Sequence, residues 1–353
     1  MDYFFAQCEE RENPSLRGRP VVVCVYSGRG PHSGVVSTAN YMARGFGVKS
    51  GMPISFAERA LKDKDAVFIP VNHKLYGKVS ESVMKILHGY ADSFEQVSID
   101  ESFLDITSRV SGDFEAAGRL ALKIKKDVMA KERLTCSVGI GPNKLVAKIA
   151  SDFQKPDGLM VVKPEEIRSF LHPLPVRKLY GVGRKIEKKM KDLGIVTVGN
   201  LAEFDVVKLT DVFGKRSGVY FHRAAKGIDE EPVQEREEAK QISRIVTLKR
   251  DTREMNLLTR ELDEVSQVVH ARIVDKNLKF TSIGVIAIME NLSVHTRTKT
   301  LETPTDDLDV IREVSRKLLE VLLREKTELD IRRIGVRVSN LIEDDRQKSL
   351  SEF

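Results

Sequence analysis

The sequence predicts an α/β multidomain protein, and three stretches predict it. Residues 241–340 follow the order strand-helix-strand-strand-helix-strand, a ferredoxin-like arrangement able to build its own core. Residues 163–229 are basic and helical in pattern, with Gly181 and Gly183 at a tight turn. Residues 97–106, Val-Ser-Ile-Asp-Glu-Ser-Phe-Leu-Asp-Ile, suit a strand apart from two adjacent acids. At 353 residues the chain has material for two or three such units.

Composition sets the bounds. Hydrophobic residues make up 41% and charged residues 31%, which excludes a wholly disordered, collagen-like or coiled-coil chain. Lys and Arg number 58 against 52 Asp and Glu, and the formal charge of +6 permits a polyanionic partner without requiring one. No apolar run approaches the roughly 18–20 residues of a membrane span, and the opening Met-Asp-Tyr-Phe-Phe is no signal peptide, so no membrane is expected. Cys8, Cys24 and Cys136 form no CxxC pair and leave an odd thiol. A reducing cytoplasm suits them better than a disulfide framework.

Charge and pattern then divide the chain. Residues 163–229 carry 14 Lys and Arg against 8 Asp and Glu, whereas residues 230–240 hold two basic and five acidic residues, a Pro and no apolar periodicity. The second stretch reads as an interdomain linker. Beyond it, Ile242–Arg250 alternates and is β-branched, a strand. Leu258, Leu262, Val265, Val269 and Ile273 recur at helical spacing. Residues 281–289 and 293–301 read as two strands with Glu290-Asn291 near the turn. A second helix presents Leu308, Ile311, Val314, Leu318 and Val321 on one face, and Ile331–Leu341 closes as a strand. There Ile334, Val336 and Val338 alternate with Arg333, Gly335 and Arg337, giving one apolar and one cationic face. A solvated face and a polyanion-binding face both satisfy that alternation. Residues 341–353 are polar and lack a core-facing pattern, as in a tail.

The basic segment runs Leu179-Tyr180-Gly181-Val182-Gly183-Arg184-Lys185, then Met190 and Leu193-Gly194-Ile195. Two glycines let the backbone approach a phosphate, and the helix N-terminus after them aims N–H groups and partial positive charge at it. Lys185, Lys188 and Lys189 add mobile charge. This is the pattern of a helix-hairpin-helix that grips a DNA backbone without reading its sequence. A plain αα-hairpin is the alternative, disfavoured by the local charge and the companion Leu-Gly-Ile.

Asp100 and Glu101 can point toward a shared divalent cation if two strands meet there in a tight turn, the ion offsetting their repulsion. Such a pair can hold Mg²⁺ for phosphoryl or nucleotidyl transfer, while a solvated hairpin tip has the same local sequence. The surrounding segments decide between them. Met1-Asp2-Tyr3-Phe4-Phe5-Ala6-Gln7 resembles the end of the opening motif of the Y-family (translesion) DNA polymerases. Thr38-Ala39-Asn40-Tyr41-Met42-Ala43-Arg44 resembles that family's nucleotide-gripping helix, and Ser98-Ile99-Asp100-Glu101-Ser102 its second metal motif. Ser137-Val138-Gly139-Ile140-Gly141-Pro142-Asn143-Lys144, running to Ala150 and on to Lys155-Pro156-Asp157-Gly158, resembles its third. The motifs come in the family's order and the resemblance covers almost the whole chain. It is greatest to the DNA polymerase IV branch, particularly the archaeal members.

The resemblance implies a right-hand polymerase with palm at 1–3 and 70–162, fingers at 4–69 and a helix-hairpin-helix thumb at 163–229. A linker at 230–240, a ferredoxin-like little finger at 241–340 and a clamp-binding tail at 341–353 complete it. The implied reaction is template-directed nucleotidyl transfer with two Mg²⁺, by a monomer acting on primer-template DNA and deoxynucleoside triphosphates. It would have low fidelity and pass damaged bases. Asp100 would ligate the metals, Glu101 would stand near the primer 3′-OH and ligate the ion that lowers its pKa, and the main-chain carbonyl of Met1 would touch the nucleotide-bound ion. Phe4 and Phe5 would line the nucleotide, Phe5 as a steric gate that leaves no room for a 2′-OH. Thr38, Tyr41, Arg44 and Lys155 would hold the triphosphate. Gly181, Gly183, Lys185 and Lys188 in the thumb, with Arg332, Arg333 and Arg337 in the little finger, would hold the DNA backbone. Gln347, Leu350 and Phe353 resemble the clamp-binding peptide Q-x-x-L-x-x-F-F short of one aromatic, which implies a PCNA-type sliding clamp as partner.

The chain also departs from the family's pattern. The family's first catalytic aspartate lies two residues before the position of Asp2, on a central palm strand, and here the chain opens at Met1. The expectation is a natural start several residues upstream and, without that strand, unpaired neighbours on both sides. Val35 and Ser37 stand where relatives often have smaller residues, and Met42 replaces a common Glu. Two other classes compete. One is a DNA- and clamp-binding protein, catalytically impaired because the first metal aspartate is absent. The other is a different two-metal palm enzyme such as a nucleotide cyclase, which would need neither thumb nor little finger.

Overall fold

The structure, a computed structural model, describes residues 1–235, 240–325 and 328–343. They fall into two compact units: Met1–Cys24, Val36–Met52 and residues 56–235 in one, and Val25–Val35, Pro53–Ser55 and the described residues from 240 onward in the other. Among the described residues no helix is long and apolar enough to cross a membrane.

The chain opens with helix α1 (Phe4–Glu12), followed by strands β1 (Val21–Tyr26) and β2 (Gly34–Ala39), helices α2 (Tyr41–Gly45) and α3 (Ile54–Ala60), and strand β3 (Val67–Pro70). β1 is the central strand in the order β2-β1-β3 and pairs parallel with β3, Val21 opposite Val67 to Cys24 opposite Pro70. Its run Val21-Val22-Val23-Cys24 is wholly buried, so it reads as continuous apolar sequence where a half-solvated strand would alternate. Helix α4 (His73–His88) precedes an antiparallel hairpin of β4 (Ser93–Gln96) and β5 (Ser102–Asp105), and α5 (Phe114–Glu132) follows it. Strand β6 (Val138–Ile140), helix α6 (Lys144–Ser151) and strand β7 (Leu159–Val161) form a small parallel crossover. Phe4, Ala6 and Cys8 of α1 pack with Tyr76, Val79 and Val83 of α4 and Ile124 and Val128 of α5 in one core.

Five helices come next: α7 (Ile167–Leu171), α8 (Arg184–Asp192), α9 (Val198–Glu203), α10 (Val206–Phe213) and α11 (Lys215–Ala225). They close over Leu171, Leu179, Met190, Ile195, Leu201, Leu209 and Phe221. Each such side chain contributes about 1.5–3 kcal/mol relative to exposure. Helices α10 and α11 meet so closely at Gly218 that a Cβ there would lie 2.6 Å from the Thr210 nitrogen.

In the second unit β8 (Gln241–Thr252), α12 (Met255–Asp275), β9 (Leu278–Met289), β10 (Val294–Thr305), α13 (Leu308–Glu325) and β11 (Ile331–Glu343) follow the expected order. The sheet runs β10-β9-β11-β8, antiparallel throughout, with Ile283, Val285, Ile334, Val336 and Val338 buried in one core with α12 and α13. A register shift between Ile331 and Arg333 breaks the alternation, so that Ile331 and Ile334 both point inward. All five apolar positions expected on α12 are buried. The face expected of α13 needs correction. Ile311, Val314, Leu319 and Leu322 are buried with Ser315, whereas Val321 is 41% exposed and Leu318 only partly covered. Leu318, Leu319, Val321 and Leu322 offer two helical stripes one residue apart, and packing selects the one that runs through small Ser315.

Candidate active site

The acid pair sits in the turn between β4 and β5. The Glu101 carbonyl accepts from the amides of Val97, at 2.9 Å, and Ser98, at 3.1 Å, which closes the turn. The Ser98 hydroxyl donates to Asp100 Oδ1 at 2.9 Å and the Ser80 hydroxyl to the Ile99 carbonyl at 2.5 Å, fixing both flanks. The Met1 main-chain nitrogen donates to the Asp100 carbonyl at 2.8 Å, so residue 1 is tied to the same turn. Glu101 forms an ion pair with Lys148 of α6.

Met1, Asp100, Glu101, Lys148 and Lys155 line one cavity of about 220 Å³. Phe103 and Leu104 bound it on the β5 side and Val138 and Ile140 on the β6 side, with Val83, Met84 and Ile124 from α4 and α5. β4-β5 and β6-β7 are separate two-stranded sheets.

Lys155 follows α6, its ammonium 2.7 Å from Asp152. Burial alone would lower the Lys155 pKa; the bond to Asp152, with the charges of Asp152, Glu101 and Asp2, raises it, so the ammonium stays charged. The reciprocal balance holds at Asp152. Burial would raise its pKa, and Lys155 with Lys148 brings it below its ordinary value.

The predicted nucleotide-gripping segment is built around Asn40, which is 5% exposed. Its side chain caps α2 by accepting from the Ala43 amide at 3.0 Å, accepts from the Val21 amide at 3.1 Å, and donates to the Arg19 carbonyl at 2.8 Å. Arg44 donates to the Ala39 carbonyl at 2.8 Å and to the Thr38 hydroxyl at 3.4 Å, and its guanidinium lies 4.9 Å from the Tyr41 ring centre. The Tyr41 phenol is raised above its ordinary pKa by burial first, then by the Asp2 charge, with Arg44 and Lys155 opposing. Phe5 is half-buried and stacks on Tyr76 at 4.2 Å and 13°. Phe4, 3% exposed, is a core residue.

The sequence pointed to the acids, Tyr41, Arg44 and Lys155; it did not point to Lys148, Asp152 or Asp2. Lys148 reaches Glu101 across 47 positions and Asp2 reaches the Asp157 amide across 155, spans that no local pattern marks. Asp152 instead pairs locally with Lys148 and Lys155, at i,i+4 and i,i+3 spacing. Asp2 is 6% exposed and turned away from the acid pair, toward Thr135, Ser137 and the Asp157 amide. Among the described residues no three Asp, Glu, His or Cys side chains converge. The two carboxylates still suit a hard divalent cation: they are oxygen donors on one tight turn, and the Lys148 ammonium beside Glu101 marks where positive charge is stabilised.

In the basic segment Gly181 has φ +86°, and Gly183 caps α8. The Tyr220 hydroxyl donates to the Tyr180 carbonyl at 3.0 Å and supports the turn. Glu187 is held by Arg177, at 3.1 Å, and Lys191, at 2.9 Å, while Lys185, Lys188 and Lys189 are exposed. In the second unit Arg333 is exposed, and Arg337 has a buried Nε without a partner. Arg332 is engaged otherwise: it pairs with Asp251 at 2.9 Å, and Asp251 also takes Arg29. Gln347, Leu350 and Phe353 lie outside the described residues.

Residues 1–152 match the impB/mucB/samB family, and residues 239–351 match the C-terminal domain of the same family. Residues 177–229 match the thumb domain of DNA polymerase-iota. A DNA polymerase IV from Methanosarcina acetivorans is 46% identical, and one from Nitrosopumilus maritimus 44%, each over 100% of this chain and 97% of the relative. Among solved structures, the Y-family DNA polymerase chimera Dbh-Dpo4(243-245)-Dbh has a TM-score of 0.90 at 37% identity, over 97% of this chain and 98% of that one. An insertion ternary complex of Dbh DNA polymerase has a TM-score of 0.70 at 36% identity, with the same coverage.

Proposed function

The chain belongs to the Y family of DNA polymerases and extends primers past damaged template bases at low fidelity, and we propose that the Asp100–Glu101 turn is its catalytic centre. One observation supports that reading above the others: both acids, Met1 and Lys155 line a single cavity. Nucleotidyl transfer in this family needs divalent metal ions, and two Mg²⁺ are the ions we assign, held by Asp100, Glu101 and the Met1 carbonyl. When bound, they lower the pKa of the attacking hydroxyl and offset charge on the leaving pyrophosphate.

The chain's own groups supply the rest. Glu101 stands near the primer 3′-OH, which attacks the α-phosphate as the bond to pyrophosphate breaks. Phe5, braced by Tyr76, is the gate beneath the sugar, with Phe4 behind it in the core. Tyr41, Arg44 beside Thr38, and Lys155 hold the triphosphate, and the charge that Asp152 preserves on Lys155 favours the leaving group. Palm (1–3 and 70–162), fingers (4–69) and thumb (163–229) make the hand. The exposed lysines Lys185 and Lys188 and the turn at Gly181 and Gly183 grip the primer-template backbone, and Arg333 and Arg337 of the little finger (241–340) run along it. Arg332 joins them only by leaving Asp251. Residues 341–353 engage a PCNA-type clamp through Gln347, Leu350 and Phe353. The protein works as a monomer in the cytoplasm, where its three buried thiols stay reduced.

The test is primer extension with Mg²⁺ and all four deoxynucleotides on intact and abasic templates, with Glu101→Ala beside the parent. Extension on both templates that disappears in Glu101→Ala is expected. Retained extension in that variant would remove the acid turn from catalysis.

A further inference from the structure

We infer that Asp2 is a positioning residue that sets the Lys155 turn against the incoming triphosphate, an inference that rests on the proposed role of Lys155. Asp2 is 6% exposed, and both of its carboxylate oxygens are used. Oδ1 accepts from the Ser137 hydroxyl at 2.6 Å. Oδ2 accepts from the Thr135 hydroxyl at 2.8 Å and from the Asp157 amide at 3.0 Å. Ser137 Oγ in turn accepts from the Gly158 amide at 3.1 Å. The carboxylate therefore holds two consecutive amides of the turn, one directly and one through a hydroxyl.

Lys155 is two residues before Asp157. Lys125 closes the other side of that turn, donating to the Asp157 and Gly158 carbonyls and pairing with the Asp157 carboxylate at 2.8 Å. Met1, one residue before Asp2, donates through its main-chain nitrogen to the Asp100 carbonyl. Met1 and Asp2 thus staple the acid turn to the lysine turn, two segments some 55 residues apart in sequence. Thr135 is further locked by Gln7 of α1, whose side-chain oxygen accepts the Thr135 amide at 2.8 Å and whose side-chain nitrogen donates to the Thr135 carbonyl at 3.1 Å. A carboxylate is the one small side chain that offers only acceptors to three donors; an amide of the same shape turns an NH₂ toward at least one of them.

The test compares Asp2→Asn, Lys155→Ala and the double variant in single-nucleotide insertion, reading kcat and the KM for the nucleotide separately. Asp2→Asn is expected to raise that KM roughly tenfold or more, the scale of a lost charge-assisted hydrogen bond, with a smaller change in kcat and unchanged affinity for primer-template DNA. On the Lys155→Ala background Asp2→Asn should add little. Should Asp2→Asn fail to fold, judged by thermal unfolding, Ser137→Ala removes the link to the Gly158 amide alone and should move KM in the same direction. Lys155→Ala that raises KM while Asp2→Asn or Ser137→Ala leaves it within twofold would overturn the positioning role alone. Full additivity would do the same. Unchanged KM in Lys155→Ala would overturn both readings.

Discussion

The acid turn and the basic surfaces handle charge in opposite ways. Around Asp100 and Glu101 nearly every polar group has an assigned partner: Ser98 on one carboxylate, Lys148 on the other, Met1 on the backbone between them. On α8 and β11 the cations Lys185, Lys188 and Arg333 are exposed, and neighbouring acids such as Glu187 are engaged elsewhere. A site that must place one oxygen fixes each group, whereas a surface that follows a regular backbone of phosphates gains from mobile charge at each step. Loss of one group should therefore be nearly fatal in the first region and graded in the second.

The largest expected effect is at Asp100. Asp100→Asn should lower the extension rate about a hundred- to ten-thousand-fold while DNA retention in a filter assay changes little. Removal of divalent ions with a chelator should reproduce that split in the parent protein. If DNA retention falls in parallel with rate, the two regions are not separable in the way proposed.

Phe5→Ala comes next. Stacking on Tyr76 holds the ring in one plane, so its removal opens space at a defined point. Preference for deoxy- over ribonucleotides, measured as a ratio of kcat/KM, should fall by about 10–200-fold, with smaller changes in deoxynucleotide insertion. An unchanged ratio would assign the discrimination to another residue.

How far these regions could be read in advance follows from the range of the interactions that make them. The strand alternation of Ile334, Val336 and Val338 with Arg333 and Arg337 is a period-2 pattern, and the β11 register reproduces it. The break at Ile331 was not legible, because the register shift that turns it inward depends on how β8 and β9 pair alongside. On α13 two apolar stripes were equally periodic, and contact through Ser315 selected the one containing Leu322. In the acid turn the carboxylates were visible as neighbours in sequence. Their partner Lys148 was not, since it comes from a helix 47 residues away. The same holds for the first residues of the 230–240 stretch, which read as free linker. Lys144, buried against Glu95 at 2.9 Å, also reaches the Pro232 carbonyl at 3.2 Å and Glu231 at 3.5 Å.

Within the basic surfaces the expected effects are graded. Lys188→Ala should weaken binding several-fold at every sequence and reduce the slope of log affinity against log salt by about 1. Arg333→Ala should do the same, and the two losses should add, as for separate phosphate contacts. A sequence-dependent loss in either variant would mean that the residue reads bases.

The smallest effect tests Arg332, an expected backbone contact that is already paired. Asp251 accepts from Arg332 at 2.9 Å and also from Arg29, whose Nε donates to the Leu248 carbonyl at 2.7 Å. The bond from Arg332, then that from Arg29, holds the Asp251 carboxyl below its ordinary pKa. A depressed carboxylate pKa adds stability above the unfolded-state value and loses it as pH falls through the folded one. With side-chain exposures of 19–37% among the three residues, solvent screening limits the gain to on the order of 1 kcal/mol. Asp251→Asn should therefore lower Tm by a few degrees at pH 7, and the gap to the parent should close as pH falls below about 4. Freed from its partner, Arg332 becomes available to a phosphate, so the same variant should bind primer-template DNA slightly more tightly at low salt. Tighter binding together with lower Tm would show one cation divided between fold and ligand. Lower Tm with unchanged binding would make Arg332 a structural residue and leave the backbone contacts of this sheet to Arg333 and Arg337.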